Sequence, residues 1–331
     1  MDPRYSKMKY RRCGDSGLML PEVSLGLWHN FGKNSDYSVM KEMILTAFDN
    51  GITYFDLANN YGPGPGEAER NFGKILREEL LPHRHELIIA TKAGYPMWDG
   101  PYGDFGSRKY LMTSIDESLE RMGLTYVDIF YHHRMDKGTP LEETMGALED
   151  IVRSGKALYV GLSNYDGATL RKATDILVSR HVPFVVNQNR YSIFDRGIEE
   201  NGLLKATASL RKGLVCFSPL AQGLLTNRYL NGIPADSRVR TDGRFLKEKD
   251  ITEGKLAHIR SLNEMALLRG MSLAEMALAW VLSHDEVTSV IVGASKASQI
   301  TDDVKAISFK RLSDDEMKAI DDIVFPEKND D

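Results

Sequence analysis

The decisive stretch runs from residue 126 to residue 163: YVDIFYHHRMDKGTPLEETMGALEDIVRSGKALYVGLS. It opens on the apolar run YVDIFY (126–131) and closes on a second one, ALYVGLS (157–163). Between them, residues 141–154 carry a helical pattern that stops at Gly155, the residue type that most easily ends a helix. No hairpin signal joins the two runs, so they predict parallel strands linked by a helical crossover. Strands that are apolar along their whole length are covered on both faces.

The same unit recurs along the chain. Further apolar runs are VSLGLW (23–28), TYFDLA (53–58), ELIIATK (86–92), PFVVNQ (183–188), GLVCFSP (213–219) and TSVIVGA (288–294), which brings the candidate strands to eight. Helical spacing places Val39, Met43 and Ala47 on one face of 37–50, and Leu111, Ile115 and Leu119 on one face of 107–122. Segments 168–180 and 253–284, the latter broken near Gly270, read as helices too. Eight strand–helix units over roughly 270 residues predict a closed (β/α)8 TIM barrel, α/β in class, with residues 1–331 as a single domain. Two segments stand outside the repeat. Residues 9–20 predict a β-hairpin around GDSG that caps the N-terminal mouth, and residues 222–252 form a long polar loop after the seventh strand.

Composition narrows the function classes. With 42% hydrophobic and 27% charged residues over 331 positions, the chain has the balance of a globular protein. A net charge of −5 argues against nucleic acid as a partner, because phosphate recognition needs a clustered basic face. Two isolated cysteines, Cys13 and Cys216, lack a disulfide framework, and the expected location is a reducing cytoplasm. The start MDPRYSKMKYRRCG is polar, so no signal peptide is expected, and no apolar run is long enough to predict a membrane span.

The familiar catalytic motifs are missing. GPGPGE (62–67) fails the dinucleotide pattern and reads as a rigid turn into a helix, and HRHEL (83–87) is not a zinc helix. No metal site is expected. The informative residues stand where apolar strands end: Asp56 and then Tyr61, Lys92, His132-His133-Arg134, Ser163-Asn164, Asn187-Gln188 and Phe217-Ser218-Pro219. The C-terminal ends of barrel strands are where such folds place their chemistry.

These residues sit in recognisable motifs. GITYFDLANNYGPGPGEAERNFGKIL (51–76), ATKAG (90–94), YVDIFYHHR (126–134), GKALYVGLSNY (155–165), VNQNRYS (186–192), FSPLAQGLLT (217–226) and SVIVGASKASQI (289–300) resemble, in order and spacing, those of the aldo-keto reductases. Residues 8–32 and 97–111 resemble the bacterial L-glyceraldehyde 3-phosphate reductases within that family, which are relatives of the potassium-channel β subunits. The resemblance implies a catalytic tetrad of Asp56, Tyr61, Lys92 and His133. It implies that Ser163, Asn164 and Gln188 hold a nicotinamide on which Phe217 stacks, with Trp28 on the substrate side. The rest of the dinucleotide falls to Ser218, Leu220, Gln222, Arg228, Arg238, Gly293, Ser295, Lys296, Gln299, Asp302 and Asp303. Lys296 and Arg238 are the candidates for phosphate contacts and favour NADPH, whereas Asp302 and Asp303 add negative charge nearby. Strand parity allows only one of His132 and His133 to face the mouth, and the resemblance selects His133.

The residue types suit carbonyl reduction. A phenol titrates near 10, so Tyr61 as general acid needs a nearby cation to lower it, and Lys92 supplies one. Asp56 would keep Lys92 charged, and a neutral His133 would orient the carbonyl. The implied substrates are small aldehydes such as L-glyceraldehyde 3-phosphate and methylglyoxal, and the implied assembly is a homo-oligomer, a tetramer or larger. Two alternatives stay open. One is a nucleotide-sensing regulatory subunit, although the channel subunits carry Asn where His133 stands. The other is a Schiff-base aldolase built on Lys92.

Overall fold

The computed structural model describes residues 2–230, 232–234, 238–241 and 246–325, without the side chains of residues 238 and 241. Its centre is a closed barrel of eight parallel strands. These are β3 (Val23–Gly26), β4 (Tyr54–Asp56), β5 (Ile88–Ala93), β6 (Val127–His132), β7 (Ala157–Ser163), β8 (Phe184–Arg190), β9 (Gly213–Phe217) and β10 (Val287–Val292). β10 closes the ring by pairing with both β9 and β3, at Val290↔Cys216 and Val290↔Val23. All eight predicted runs are present. β3 and β4 are shorter than their runs because the chain leaves the wall early, and Trp28 therefore lies beyond β3.

Helices α1 (Tyr37–Asp49), α2 (Glu67–Ile75), α3 (Arg108–Met122), α4 (Leu141–Arg153) and α5 (Gly167–Ser179) follow β3 to β7. Short α6 (Gly197–Glu200) and α7 (Leu203–Ser209) follow β8. After β9 come α8 (Arg238–Thr241), α9 (Glu253–Leu268) and α10 (Leu273–Leu282), and after β10 come α11 (Ala297–Lys305) and α12 (Asp314–Val324). Local chemistry sets their starts. Asp36 accepts from Ser38 N and Val39 N, Ser107 from Tyr110 N, and Asp166 from Thr169 N, each satisfying amides that a helix start leaves without partners.

One apolar layer, with Phe55, Ile89, Phe130, Val160 and Leu214 on the strands, packs outward against the helices. A second fills the barrel itself with Tyr54, Ala90, Ile129, Tyr131, Val186, Val215 and Ile291. Cys13 and Leu20 join this inner layer from the hairpin of β1 (Tyr10–Arg12) and β2 (Met19–Pro21), which plugs the N-terminal end as the GDSG turn predicts. Gly161 makes room for the large inner ring of Tyr131: a Cβ there would lie 2.2 Å from the ring. With the bottom plugged and the interior filled, the open end is the one where the strands terminate.

Candidate functional site

Asp56 ends β4, and Lys92 projects inward from the neighbouring β5. Lys92 is fully buried, and its Nζ donates to Asp56 Oδ2 at 2.5 Å, to Leu57 O at 2.7 Å and, more weakly, to Tyr61 Oη at 3.4 Å. Main-chain bonds fix the loop that carries Tyr61. Asn59 N donates to Lys92 O at 2.9 Å, Gly62 N to Trp28 O at 3.0 Å, and Ala68 N to Tyr61 O at 3.2 Å. The other carboxylate oxygen, Asp56 Oδ1, accepts from Gln188 Nε2 at 2.8 Å and from Tyr54 Oη at 3.3 Å. Tyr54 in turn bonds Tyr131 Oη at 2.8 Å. Both carboxylate oxygens are therefore engaged, as a buried charge requires.

The structure separates the two histidines. His132 sits with the outward layer, its Nδ1 2.7 Å from Tyr165 Oη. His133 faces the barrel mouth, edge-on to the Tyr61 ring at 5.7 Å and to the Tyr95 ring at 4.6 Å. Gly94, at φ 152°, permits that approach, since a Cβ there would be 3.0 Å from His133 Cβ. The main chain of His133 is held at both ends, its N–H by Ala93 O and its carbonyl by Asn164 Nδ2, each at 2.9 Å. Its Nδ1 is buried with no hydrogen-bond partner among the described residues.

Burial dominates the protonation states. It pushes the Tyr61 phenol well above its ordinary value, with Asp56 and Tyr95 adding to the effect, so Tyr61 holds its proton. A lowering by Lys92, expected from the sequence, is not what prevails: the Tyr61 phenol stands raised, with loss of solvation the largest cause. Burial pulls Lys92 below its ordinary 10.5 against the opposing pull of Asp56. It drives His133 well below 6.5, with Lys92, His132 and Arg134 helping, so the imidazole is neutral.

A cleft of about 1230 Å³ opens above this cluster. Its lining includes Trp28, Tyr61, Tyr95 and His133, then Asn164, Gln188 and Phe217 from other strand ends, and Ser218, Leu220, Gln222 and Arg228 from the chain after β9. Gly293, Ser295, Gln299, Asp302 and Asp303, from the chain after β10, line it too. Burial, followed by Asp302 and Glu275, pushes Asp303 up to about 7. Lys92 and Ser163 lie beneath the cleft wall, wholly buried. Lys296 is exposed at the start of α11, next to the cleft-lining Ser295, and does not itself line the cleft. The Arg238 side chain lies outside the described residues. Asn60, Tyr95, Arg190 and Glu275 line the cleft without having been singled out in the sequence. Tyr95 and Arg190 had a signal, being polar groups just past or at strand ends, whereas Glu275 comes from a distant helix and had none.

Asn164 and Gln188 give their side-chain NH2 groups to His133 O and Asp56 Oδ1, which orients both amides. Phe217 at the end of β9, the polar side chains around it and a volume of about 1230 Å³ suit a large ligand that carries both a flat ring and polar groups. Lys92, by contrast, has three protein acceptors and no exposed surface, which suits a fixed cation and not the free amine of a Schiff-base aldolase.

Comparison with known proteins agrees with this geometry. Residues 22–324 match the sequence profile of the Aldo/keto reductase family. An L-glyceraldehyde 3-phosphate reductase from Escherichia coli (strain K12) is 53% identical over 321 residues, covering 96% of this chain and 93% of that protein. A probable voltage-gated potassium channel subunit beta from Oryza sativa subsp. japonica is 34% identical over 305 residues, 91% of each chain. A protein of the same description from Arabidopsis thaliana is 35% identical over 305 residues, again 91% of each.

Proposed function

The chain belongs to the aldo/keto reductase family, an oxidoreductase by that membership, and on this premise we propose that it reduces small aldehydes to alcohols with NADPH, Tyr61 acting as general acid. L-glyceraldehyde 3-phosphate and methylglyoxal are the proposed substrates, the first because a relative 53% identical to this chain bears that name. The observation that carries the reading is the buried chain of contacts Asp56–Lys92–Tyr61, whose Asp56 and Tyr61 line a cleft of about 1230 Å³.

When bound, the cofactor supplies a hydride to the carbonyl carbon. Asn164, Gln188 and Phe217 would hold its ring, Ser218, Leu220, Gln222 and Arg228 its middle, and Ser295, Gln299, Asp302 and Asp303 its adenosine end. The protein's own part is proton and charge management. Tyr61 Oη gives its proton to the substrate oxygen, and Lys92, 3.4 Å away, stabilises the phenolate that remains. The phenolate recovers its proton from water entering the cleft. Asp56 keeps Lys92 charged and aimed. The orphaned Nδ1 of His133 favours the tautomer with its proton on Nε2, because that leaves a lone pair and not an N–H without a partner. His133 can then donate to the carbonyl oxygen while staying neutral.

Tyr61→Phe tests the reading. It should lower kcat about 10²–10⁴-fold while NADPH still quenches protein fluorescence with parental affinity. Unimpaired turnover would remove Tyr61 from its role. The channel-subunit relatives motivate a second reading, a nucleotide-sensing regulatory subunit. Tight NADPH binding without methylglyoxal-dependent oxidation would favour it. A cytoplasmic homo-oligomer belongs to the same proposal, and light scattering of purified protein tests the assembly.

A further inference from the structure

Behind the strand that carries Lys92 lies a second buried ion pair. Glu69 on α2 is fully buried, and its Oε2 accepts from Arg121 Nε on α3 at 2.6 Å. Its Oε1 accepts from the hydroxyl of Thr91, the residue just before Lys92. Arg121 further donates to Ser118 Oγ at 3.1 Å and reaches Glu117 at 3.4 Å. Stability alone is a poor reason for such a pair, since well-packed apolar residues of similar volume usually serve as well or better.

What the pair does is connect. α2 begins directly after the loop that carries Tyr61, and its Ala68 N is bonded to Tyr61 O. Alternate residues of a strand face opposite ways, so Thr91 points out to α2 while Lys92 points into the barrel. A carboxylate gripping Thr91 from α2 therefore ties the strand of Lys92 to the helix that anchors Tyr61. Those are the two sides of the 3.4 Å Lys92–Tyr61 contact.

We infer that Glu69 is a positioning residue, which fixes the Lys92–Tyr61 separation through Thr91 and α2. This rests on Tyr61 being the proton donor. The groups that face Lys92 are Asp56 from β4, Tyr61 from the following loop, Tyr131 and His133 from β6 and its end, and Glu69 from α2. Burial pulls Lys92 down, Asp56 opposes it most, and Glu69 opposes it further.

The test is E69M/R121M in the full-length enzyme, which removes both charges and keeps the volume filled. The expected result is a kcat about tenfold lower, because small misplacements at a reacting centre are costly. NADPH affinity and aldehyde KM should stay within about twofold. The alkaline limb of kcat should move slightly to lower pH: Glu69 touches Thr91 and acts on Lys92, whereas Arg121, lost with it, stands behind Glu69 and offsets only part of the change. Thr91→Val, which keeps the shape and deletes only the hydroxyl, should lower kcat about threefold with the limb unmoved. Parental kcat and a parental limb in E69M/R121M overturn the inference. If that variant does not fold, parental kcat in Thr91→Val overturns it instead. Tyr61→Phe measured in parallel separates the two failures, because full turnover there would strike the proton donor itself.

Discussion

Asp56→Asn probes the buried centre most directly. Asparagine keeps the volume, so no cavity forms, but it replaces a charge and one acceptor. Wherever its NH2 points, it meets a donor: Lys92 Nζ, 2.5 Å from Oδ2, or Gln188 Nε2, 2.8 Å from Oδ1. At 2.5 Å and an effective dielectric near 20, the lost attraction is about 7 kcal/mol before solvation is counted. Breaking one side of a buried pair costs about 3–5 kcal/mol net. We expect a stability loss of that size in urea denaturation at pH 7. The sign of its pH dependence is fixed. Without Asp56 the folded-state value of Lys92 drops further below its unfolded value near 10.4, so the unfolded chain binds the extra proton. The deficit should therefore shrink as pH rises from 7 towards 10. Turnover should fall about 10²-fold or more, because the cation beside Tyr61 is lost. A deficit below about 1 kcal/mol, a deficit that does not change with pH, or parental turnover would refute the reasoning.

The adjacent histidines should behave as opposites. His132→Phe strands the Tyr165 hydroxyl and should cost about 1–3 kcal/mol of stability with kcat within about twofold. His133→Gln should lower kcat/KM by about tenfold or more, and by the same factor from pH 6 to 8, because burial holds the imidazole neutral throughout; a loss that varies with pH would implicate imidazolium. Gly161→Ala drives a Cβ into the Tyr131 ring and should cost at least about 1–3 kcal/mol. Since Tyr131 reaches Asp56 through Tyr54, kcat should fall with it, and a stable variant of parental kcat would show the inner tyrosines to be filler.

The barrel was legible because its strands are buried on both faces and so stand out as short apolar runs separated by helical spacing. That same burial hid the phase of each strand. YVDIFYHH offers no polar alternation to say which residues look inward, and only the inward side chains of Ile129 and Tyr131 show that His133, not His132, continues the inner face. The clustered residues Asp56, Tyr61, Lys92 and His133 stood out in the sequence as polar groups at or just past strand ends, and the family resemblance singled out His133. Glu69 did not: in EAERNFGKI it stands among other charged residues and reads as part of a solvated face, and only the packing of α2 on β5 and α3 reveals a buried anchor. Ser295 and Lys296 are both exposed, and only Ser295 lines the cleft. The sense of the Tyr61 shift was missed for a related reason, since sequence supplies the neighbouring cation but not the loss of solvation that is the largest cause of the rise.

The net charge of −5 is spread over a surface where water screens it, whereas the charges that bear on Tyr61 are few and dry. Lys92, Asp56 and Glu69 are all essentially withdrawn from solvent, so each acts at short range and at much lower effective dielectric. In that setting a cation needs its carboxylates before any substrate arrives, because an isolated buried ammonium would give up its proton. The fold meets this requirement from two sides, with Asp56 bonded directly to Nζ inside the barrel and Glu69 held behind the strand by Thr91 and Arg121. Under the proposed mechanism, phenolate charge developing on Tyr61 would meet a cation already in place, with little left to reorganise during proton transfer.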